Sequence, residues 1–304
     1  MLDLERSINQ KIQLPSDASL ELYVKREDAL HTFVSGNKYR KLKYNMKAAT
    51  EEGHTTLLTF GGAYSNHIAA VASAGRQMGF NTIGIIRGEE LVDKVDENPT
   101  LKFAKDNGMV LDFVTREDYR QKTSLQFLER LQTKYGFFYN IPEGGTNSLA
   151  VKGCEEILSA ADSDFDVICC PVGTGGTISG LINCSKPSQQ VLGFPALKAN
   201  YLHKDISKFV SKSNWQLVSQ YHFGGYAKVN VVLIDFINTF AQHHGVLLDP
   251  IYTGKMMFGI MDMIKTGFFK RNTKILAIHT GGLQGIIGMN NTLKLKNLPQ
   301  IQLP

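Results

Sequence analysis

Short apolar runs alternate with longer segments of helical periodicity along most of the chain. The predicted strands are 56–60, 82–86, 110–114, 137–140, 167–170, 191–194 and 275–278. The predicted helices lie near 66–78, 99–107, 117–134, 147–160, 177–184, 199–212, 228–244, 254–266 and 283–290. Strands that alternate with helices of this length are typical of crossover units. The pattern therefore predicts an α/β fold with a mostly parallel sheet.

Two glycine-containing segments, about 110 residues apart, each lie between a predicted strand and a predicted helix. Their sequences are TFGGAYSNHIAA (59–70) and CPVGTGGTISGL (170–181). In open α/β sheets, ligands bind beyond the carboxyl ends of the strands. We therefore expect two lobes that face one cleft.

The second segment is a candidate anion site, because glycine N–H groups and a helix start together bind anions. Its residues are Gly173, Thr174, Gly175, Gly176 and Thr177. The P-loop sequence is absent, and the dinucleotide fingerprint would need glycine where Ile178 stands. No Asp or Glu occurs between 167 and 204 to bind a ribose. A single phosphate, on pyridoxal phosphate or a sugar phosphate, fits better than NAD or ATP; a tight turn without ligand is the alternative.

The first segment places Ser65, Asn66 and His67 at a predicted helix start. An ordinary N-cap explains these residues, but the same geometry also binds a carboxylate. A phosphate site and a carboxylate site together indicate an amino acid joined to a phosphorylated cofactor. Pyridoxal phosphate is such a cofactor, and it needs a lysine. Lys38, at the predicted start of a helix, is the candidate, although a basic solvent-facing helix is the alternative.

Composition and charge exclude several other classes of protein. The net charge of +5 is too small to require a nucleic-acid partner, and no apolar run is long enough to span a membrane. We expect no export signal, because the first ten residues, MLDLERSINQ, contain no apolar stretch. The cysteines form no C-x-x-C pair, and the scattered histidines lack the spacing of metal ligands. We expect a cytoplasmic protein with reduced thiols and no metal, nucleic-acid or membrane partner.

Six motifs occur in an order that is similar to one known family. They are SGNKYRKL (35–42), GGAYSNH (61–67), PEGGTN (142–147), GTGGT (173–177), DPIYTGK (249–255) and HTGG (279–282). The chain resembles, nearly end to end, the D-cysteine desulfhydrase and 1-aminocyclopropane-1-carboxylate deaminase family. The resemblance implies pyridoxal phosphate as cofactor, the two-lobed tryptophan synthase β-type fold and a homodimer. We expect a larger cofactor-binding domain from 1–42 and 145–304, and a smaller substrate-carboxylate domain from 43–144.

The resemblance also implies roles for matching residues that bind the cofactor. Lys38 would condense with the cofactor aldehyde and move the substrate α-proton, with Asn37 as its support. The N–H groups of 173–177 would hold the phosphate, and Thr280 would contact the pyridine nitrogen. An uncharged Thr280 leaves that nitrogen largely unprotonated, which favours loss of a β-substituent over transamination.

Other matching residues would contact the substrate. The resemblance implies that Ser65, Asn66 and His67 bind the substrate carboxylate and the cofactor ring oxygen. Tyr226 and Tyr252 would stand near the reacting carbons. Among these residues, Lys38, Tyr252, Tyr226 and Ser65 are the predicted catalytic set.

Two further positions affect the choice of substrate. Ring-opening deaminases of the family carry Glu where this chain has Thr253, whereas thiol-eliminating members carry Thr. Tyr64 stands where both branches usually have Gln. We therefore predict α,β-elimination from a small amino acid such as D-cysteine, giving pyruvate, ammonia and sulfide or a thiol. The alternatives are ring opening of aminocyclopropane carboxylate to 2-oxobutanoate, a pyridoxal-phosphate-binding protein without turnover, and a nucleotide-binding or sugar-phosphate oxidoreductase.

Overall fold

The computed structural model describes residues 4–16, 18–31, 34, 36–198 and 200–303. The strands are β1 (Asn9–Ile12), β2 (Glu21–Lys25), β3 (Thr56–Gly61), β4 (Asn81–Arg87), β5 (Met109–Val114), β6 (Tyr139–Ile141), β7 (Val167–Val172), β8 (Gln190–Pro195), β9 (Trp215–Leu217) and β10 (Lys274–Ile278). The α-helices are α1 (Asn37–Glu51), α2 (Asn66–Met78), α3 (Pro99–Asp106), α4 (Arg116–Arg120), α5 (Leu125–Tyr135), α6 (Ser148–Cys154), α7 (Gly176–Cys184), α8 (Leu202–Ser207), α9 (Val231–His244), α10 (Thr253–Lys265) and α11 (Gly285–Leu295).

These strands form two sheets. The larger sheet has the order β1-β2-β10-β7-β8-β9, and only its β1–β2 pair is antiparallel. The smaller sheet has the order β5-β4-β3-β6 and is parallel throughout. The predicted α/β fold with mostly parallel sheets is therefore confirmed.

Strand β7 lies in the middle of the larger sheet and is buried along its whole length. Its side chains alternate between two apolar clusters, as the twofold repeat of a strand requires. Cys169 packs against β8 and helices α9 to α11, whereas Ile168 and Cys170 pack against α7 and α8. Because helices cover both faces, the strand needs no polar alternation, which explains the VICC sequence. All four cysteines are free thiols.

The smaller sheet is covered in the same way. Leu57 of β3 and Ile86 of β4 pack against α1, α2 and α3 on one face. Leu58 and Phe60 pack on the other face against the aromatic and aliphatic residues of α4 and α5. Burial on both faces again makes continuous apolar runs favourable. The loops after β3 and β4 are therefore held by a fully packed sheet.

The sequence predictions differ from the structure in a few elements. The predicted helix 117–134 is two helices, since the side chain of Ser124 caps the start of α5 by accepting from the N–H of Phe127. The predicted helices 147–160 and 199–212 are shorter, and residue 199 lies outside the described residues. Strands β1, β2 and β9 were not predicted, because polar residues interrupt their short sequences.

Candidate active site

A cleft of about 680 Å³ lies beside the carboxyl ends of the strands. The predicted site residues that line it are Lys38, Tyr64, Ser65, Asn66, His67, Gly173, Thr174, Tyr226 and Tyr252. A smaller pocket shares several of these residues and adds Asn37, Gly175, Thr177 and Thr280. Gly144 of the PEGGTN motif lines both, so the structure brings together residues from all six motifs. Parallel strands place their loops at one sheet edge, which is why distant segments meet.

The segment 173–177 connects β7 to α7 and has the features of an anion site. Gly175 precedes the helix with φ of 88°, a conformation that favours glycine. In the described part of the chain, the N–H groups of these five residues have no backbone acceptor. The Thr177 hydroxyl accepts a 2.8 Å hydrogen bond from the Asn37 amide, which links the segment to the start of α1. Free N–H groups at a helix start can bind a phosphate.

Lys38 lies in the first turn of α1, and its amine faces both the pocket and the cleft. Burial, together with the nearby positive charge of Lys41, lowers the pKa of Lys38 to about 7. Its Nζ donates a 3.3 Å hydrogen bond to the side-chain oxygen of Asn37. Around neutral pH a large fraction of this amine is uncharged, so it can act as a nucleophile or a base.

Lys41 is a site residue that sequence reasoning missed. It lies one helical turn after Lys38, and its Nζ donates to the carbonyl of Gly144 at 2.8 Å and to Thr146 at 3.1 Å. Its Nζ is also 3.5 Å from the hydroxyl of Thr174. A lysine amine is thereby buried beside the segment 173–177, and burial lowers the pKa of this amine. The spacing of three residues from Lys38 could have revealed it, because i and i+3 share one helix face.

Ser65, Asn66 and His67 form the start of α2. The Ser65 hydroxyl accepts a 3.3 Å hydrogen bond from the N–H of Ile68, so the predicted N-cap is present. The N–H groups of Asn66 and His67 have no backbone acceptor among the described residues and face the loop. Groups of this kind bind carboxylates at helix starts.

The ring of His67 points into the protein. It is 3% exposed, and its Nε2 is 2.9 Å from the hydroxyl of Thr59. Burial, with the charges of Lys38 and Lys41, holds the pKa of His67 well below its usual range, so the ring is neutral. The part of His67 that remains available to an anion is therefore its backbone N–H.

Buried polar atoms without partners mark the far wall of the smaller pocket. Asn66 Oδ1 and Gln284 Oε1 are buried, and neither has a hydrogen-bond partner among the described residues. The backbone around Thr280 lies so close to Gly36 that a Cβ on that glycine would lie 2.2 Å from the Thr280 oxygen. Gly36 also has φ of 59°. Unpaired buried polar atoms are rare in folded proteins, so these amides indicate a polar ligand.

Tyr226 and Tyr252 form a pair in the cleft, with ring centroids 6.2 Å apart in an edge-to-face arrangement. Burial raises the pKa of both hydroxyls, that of Tyr252 well above its usual range. The interaction between the hydroxyls raises the pKa of Tyr252 further and lowers that of Tyr226. Both groups therefore stay protonated at neutral pH and can donate hydrogen bonds or protons. A Cβ on Gly173 would come 3.1 Å from the Tyr252 ring, so glycine permits this approach.

Thr253 is the predicted substrate-contacting residue that the structure does not bring to the cleft. Its side chain is fully buried. Its hydroxyl donates to Asp249 Oδ1 at 2.7 Å and accepts from the Asp249 N–H at 2.9 Å. The same carboxylate accepts from the N–H groups of Ile251, Tyr252 and Thr253. Thr253 thus fixes the loop that carries Tyr252, and its buried side chain does not line the cleft.

Tyr64 forms a side wall of the cleft, and 42% of its surface is exposed. Its ring lies on α11 at Gly288, where an added Cβ would come 2.5 Å from two ring carbons. Only a residue without a side chain leaves room for the ring there. The large side chain at position 64 is therefore accommodated by a glycine on α11.

The family of the chain follows from comparison with known proteins. The family described as "Pyridoxal-phosphate dependent enzyme" matches residues 9–281. The chain belongs to this family. The mitochondrial bifunctional D-cysteine desulfhydrase/1-aminocyclopropane-1-carboxylate deaminase of Arabidopsis thaliana is 30% identical to it, over 88% of this chain and 73% of that protein. The predicted membership of a pyridoxal-phosphate enzyme family is confirmed.

Solved structures of this family share the fold. An "ACC deaminase homologue" aligns over 95% of this chain and 93% of its own, with a TM-score of 0.78 and 24% identity. A hydrogen sulfide-producing enzyme from Fusobacterium nucleatum aligns over 91% of this chain and 96% of its own, with a TM-score of 0.66 and 16% identity. These likenesses confirm the predicted tryptophan synthase β-type fold of pyridoxal-phosphate enzymes.

The pocket residues fit the cofactor of this family. The segment 173–177 offers free N–H groups to a phosphate, and Lys41 supplies a buried positive charge beneath it. Lys38 offers a partly uncharged amine to an aldehyde, and the unpaired amide of Asn66 can contact a ring substituent. These four features are observed in the structure itself and do not depend on the family match.

Other kinds of site are not found in the described residues. No group of three or more His, Cys, Asp or Glu side chains is placed to hold a metal ion there. Among the described helices, none combines the length and apolar character that crossing a bilayer needs.

Proposed function

We propose that this protein catalyses pyridoxal-phosphate-dependent α,β-elimination on a small amino acid of the D-cysteine type, releasing pyruvate, ammonia and sulfide or a thiol. One observation carries the proposal: the low-pKa amine of Lys38 shares one cleft with a protonated tyrosine pair and with free N–H groups at the start of α2. Elimination needs a base at the α-carbon, an acid at the leaving group and a carboxylate clamp. The cleft contains a candidate for each.

Bound pyridoxal phosphate supplies an electron sink that stabilises negative charge at the substrate α-carbon. In our proposal the N–H groups of 173–177, with Lys41, hold its phosphate, and Asn66 and Thr280 contact its ring. Lys38 is the residue that would attach it covalently. The Asn37 side chain, bonded to both Lys38 and Thr177, keeps the amine near the phosphate segment.

The protein's own groups then orient the substrate and move its protons. The N–H groups of Asn66 and His67 and the hydroxyl of Ser65 clamp the substrate carboxylate. The amine of Lys38, once free, takes the α-proton, because at a pKa of about 7 it is a base at neutral pH. Tyr252 and Tyr226 remain protonated and donate to the departing group.

The position of Thr253 supports elimination over ring opening. Since residue 253 is threonine, no carboxylate directly follows Tyr252, and the buried hydroxyl of Thr253 is hydrogen-bonded to Asp249. The Asp249 carboxylate itself accepts four hydrogen bonds, so its acceptor sites are already occupied within the protein. The acid and base functions therefore fall to the lysine and the tyrosines.

We also propose a division into two domains and a homodimer. All strands of the smaller sheet fall within 43–144, and those of the larger sheet fall within 1–42 and 145–304. Helix α1 crosses this boundary, since it packs both on the smaller sheet and on α6. The dimer is proposed from the family resemblance, and sedimentation of the holoenzyme tests it.

The test combines covalent labelling with turnover. Borohydride reduction of the holoenzyme, followed by peptide mapping, is expected to label Lys38. Steady-state assays with D-cysteine, L-cysteine and aminocyclopropane carboxylate then show whether the enzyme produces pyruvate or 2-oxobutanoate. Lys38→Ala should abolish both label and turnover, whereas Tyr252→Phe should keep the label and lose turnover. Lys152→Ala, at an exposed lysine of α6, is the matched control.

Two results would overturn this proposal. A label on a lysine other than 38 would remove the assigned base. Production of 2-oxobutanoate from the cyclopropane, with no pyruvate from either cysteine, would establish the ring-opening deaminase instead.

A further inference from the structure

Arg87 is the last residue of β4, and its guanidinium faces the entrance of the cleft. Strand β4 pairs with β3, whose following loop carries the residues that we propose bind the substrate carboxylate. A Cβ on Gly62 would lie 3.6 Å from Arg87 Nη2, so the guanidinium lies against that loop. Its positive charge also lowers the pKa of Tyr226, which places it across the cleft from the tyrosine pair.

The Arg87 side chain is held by aromatic packing instead of by an acidic partner. Its Cζ lies 5.7 Å from the centroid of the Tyr119 ring, and Lys122 approaches the same ring at 4.8 Å. Among the described residues, no carboxylate or hydrogen-bond acceptor pairs with the Arg87 guanidinium. A guanidinium has five N–H donors in a planar fork that matches carboxylate, sulfonate and phosphate oxygens.

The nearby carboxylates are already occupied. Glu90 pairs with Arg116 at 2.7 Å. Glu143 accepts from the Tyr119 hydroxyl at 2.8 Å and pairs with Lys122 at 3.2 Å. The charged side chains that border this end of the cleft are Arg87, Arg116, Arg120, Lys122, Glu90 and Glu143. Cations therefore exceed carboxylates in this group, and Arg87 lines the cleft without an acidic partner among the described residues.

We propose that Arg87 forms an anion subsite that selects amino acids with a negatively charged substituent on the β-carbon. The substrate carboxylate is already assigned to the start of α2, so this subsite would bind a second anionic group. The inference rests on the proposed function and narrows its substrate class. During elimination the bond from Cβ to the substituent breaks, and the substituent leaves with the electron pair. With one water, the products are pyruvate, ammonia and the protonated substituent.

The volume of the cleft is consistent with such a substrate. At about 680 Å³ the cleft falls within the range of pockets that enclose whole cofactors and larger ligands. An unbranched three-carbon amino acid would leave its outer end, where Arg87 lies, to water. A β-substituent with its own oxygens would extend from the tyrosine pair toward the guanidinium.

The test measures binding of aspartate and asparagine, which have nearly the same shape and differ in charge. Calorimetry on the holoenzyme, with both enantiomers, is expected to show roughly ten-fold or tighter binding of aspartate. In Arg87→Met this ratio should fall to about three-fold or less. Arg87→Lys should retain part of the preference, because it keeps the charge and loses the fork.

The matched control is Arg271→Met, which removes an exposed arginine in the turn before β10, at the amino end of that strand. It should leave the aspartate preference unchanged, and cofactor absorbance confirms that each variant is folded and loaded. Equal affinity for aspartate and asparagine in the native protein would overturn the inference. Survival of the preference in Arg87→Met would also do so. Because binding needs no turnover, the ratio of aspartate to asparagine affinity tests the inference even if the protein catalyses no elimination.

Discussion

The buried ammonium group of Lys255 donates a 2.8 Å hydrogen bond to the carbonyl of Gly225, the residue directly before Tyr226. The same group donates to the carbonyls of His222 at 3.0 Å and Ala196 at 3.3 Å. One side chain of α10 therefore ties the end of β8 to the turn that carries Tyr226. Burial lowers the pKa of Lys255 to about 8, so it is mostly charged at neutral pH.

This turn has an unfavourable backbone conformation that the ammonium group offsets. Phe223 and Ala227 have φ of 52° and 55°, a region that non-glycine residues seldom adopt. We expect Lys255→Met to lower the free energy of unfolding by about 2–4 kcal/mol, because three buried carbonyls lose their donor. Turnover should fall further than cofactor affinity, since Tyr226 is displaced and the phosphate segment is not. Urea unfolding, cofactor titration and steady-state kinetics measure these effects. Lys265→Met, at the exposed end of α10, should change none of them.

The hydrogen bonds between Thr253 and Asp249 predict that introducing the glutamate of the ring-opening deaminases at position 253 will not produce a deaminase. Thr253→Glu places a larger, charged side chain in a fully buried position and opposite a carboxylate. We expect this variant to be destabilised by several kcal/mol and to gain no deaminase activity. Thr253→Ser keeps the hydroxyl and should stay within about 1 kcal/mol of the native stability. Thermal unfolding with turnover assays checks both, and a stable, ring-opening Thr253→Glu enzyme would contradict the prediction.

The sequence predicts the central elements of the fold well because their patterns are local. The continuous apolar run of β7 and the glycines of 173–177 can be recognised in the sequence without knowing which segments pack against them. Strand β2 was not predicted, because its three apolar residues lie between Glu21 and Lys25, and it is held as a strand by pairing with β1 and β10.

The site shows the same limit. The motifs located Lys38 and the start of α2, but the partners of Thr253, Lys41 and Arg87 depend on how distant segments pack. The spacing of four residues between Asp249 and Thr253 was a usable local signal, since Asp side chains commonly accept from the backbone that follows them.

The lowered pKa of Lys38 predicts the pH dependence of covalent cofactor binding. Only the neutral amine attacks an aldehyde, so the rate with apo-protein should rise with pH and level off above a midpoint near 7. Pyridoxal without phosphate is the probe, which removes any effect of the phosphate segment. Lys41→Met should move the midpoint to higher pH, because the charge of Lys41 lowers the pKa of Lys38. Lys152→Met should leave it in place.

The same pKa shift has a consequence for the stability of apo-protein. In the unfolded chain the amine keeps its proton up to its usual pKa of 10.5, whereas in the folded chain it loses it near 7. Between these values the unfolded state binds more protons, so this group makes stability rise with pH. For the reaction with pyridoxal, a midpoint near pH 10.5, or a shift of the midpoint to lower pH in Lys41→Met, would contradict the lowered pKa of Lys38.

The close contact between Tyr64 and Gly288 predicts that their substitutions are coupled. In the native protein Gly288→Ala would push a methyl group into the Tyr64 ring, so we expect lower stability and a higher KM as the ring moves into the cleft. In a Tyr64→Gln background the obstacle is gone, and alanine is the better helix former by about 1 kcal/mol. There Gly288→Ala should be neutral or stabilising. Urea unfolding of the four proteins gives the coupling energy as a double-mutant cycle. If Gly288→Ala costs the same in both backgrounds, the glycine serves the helix packing of α11 and not the accommodation of Tyr64.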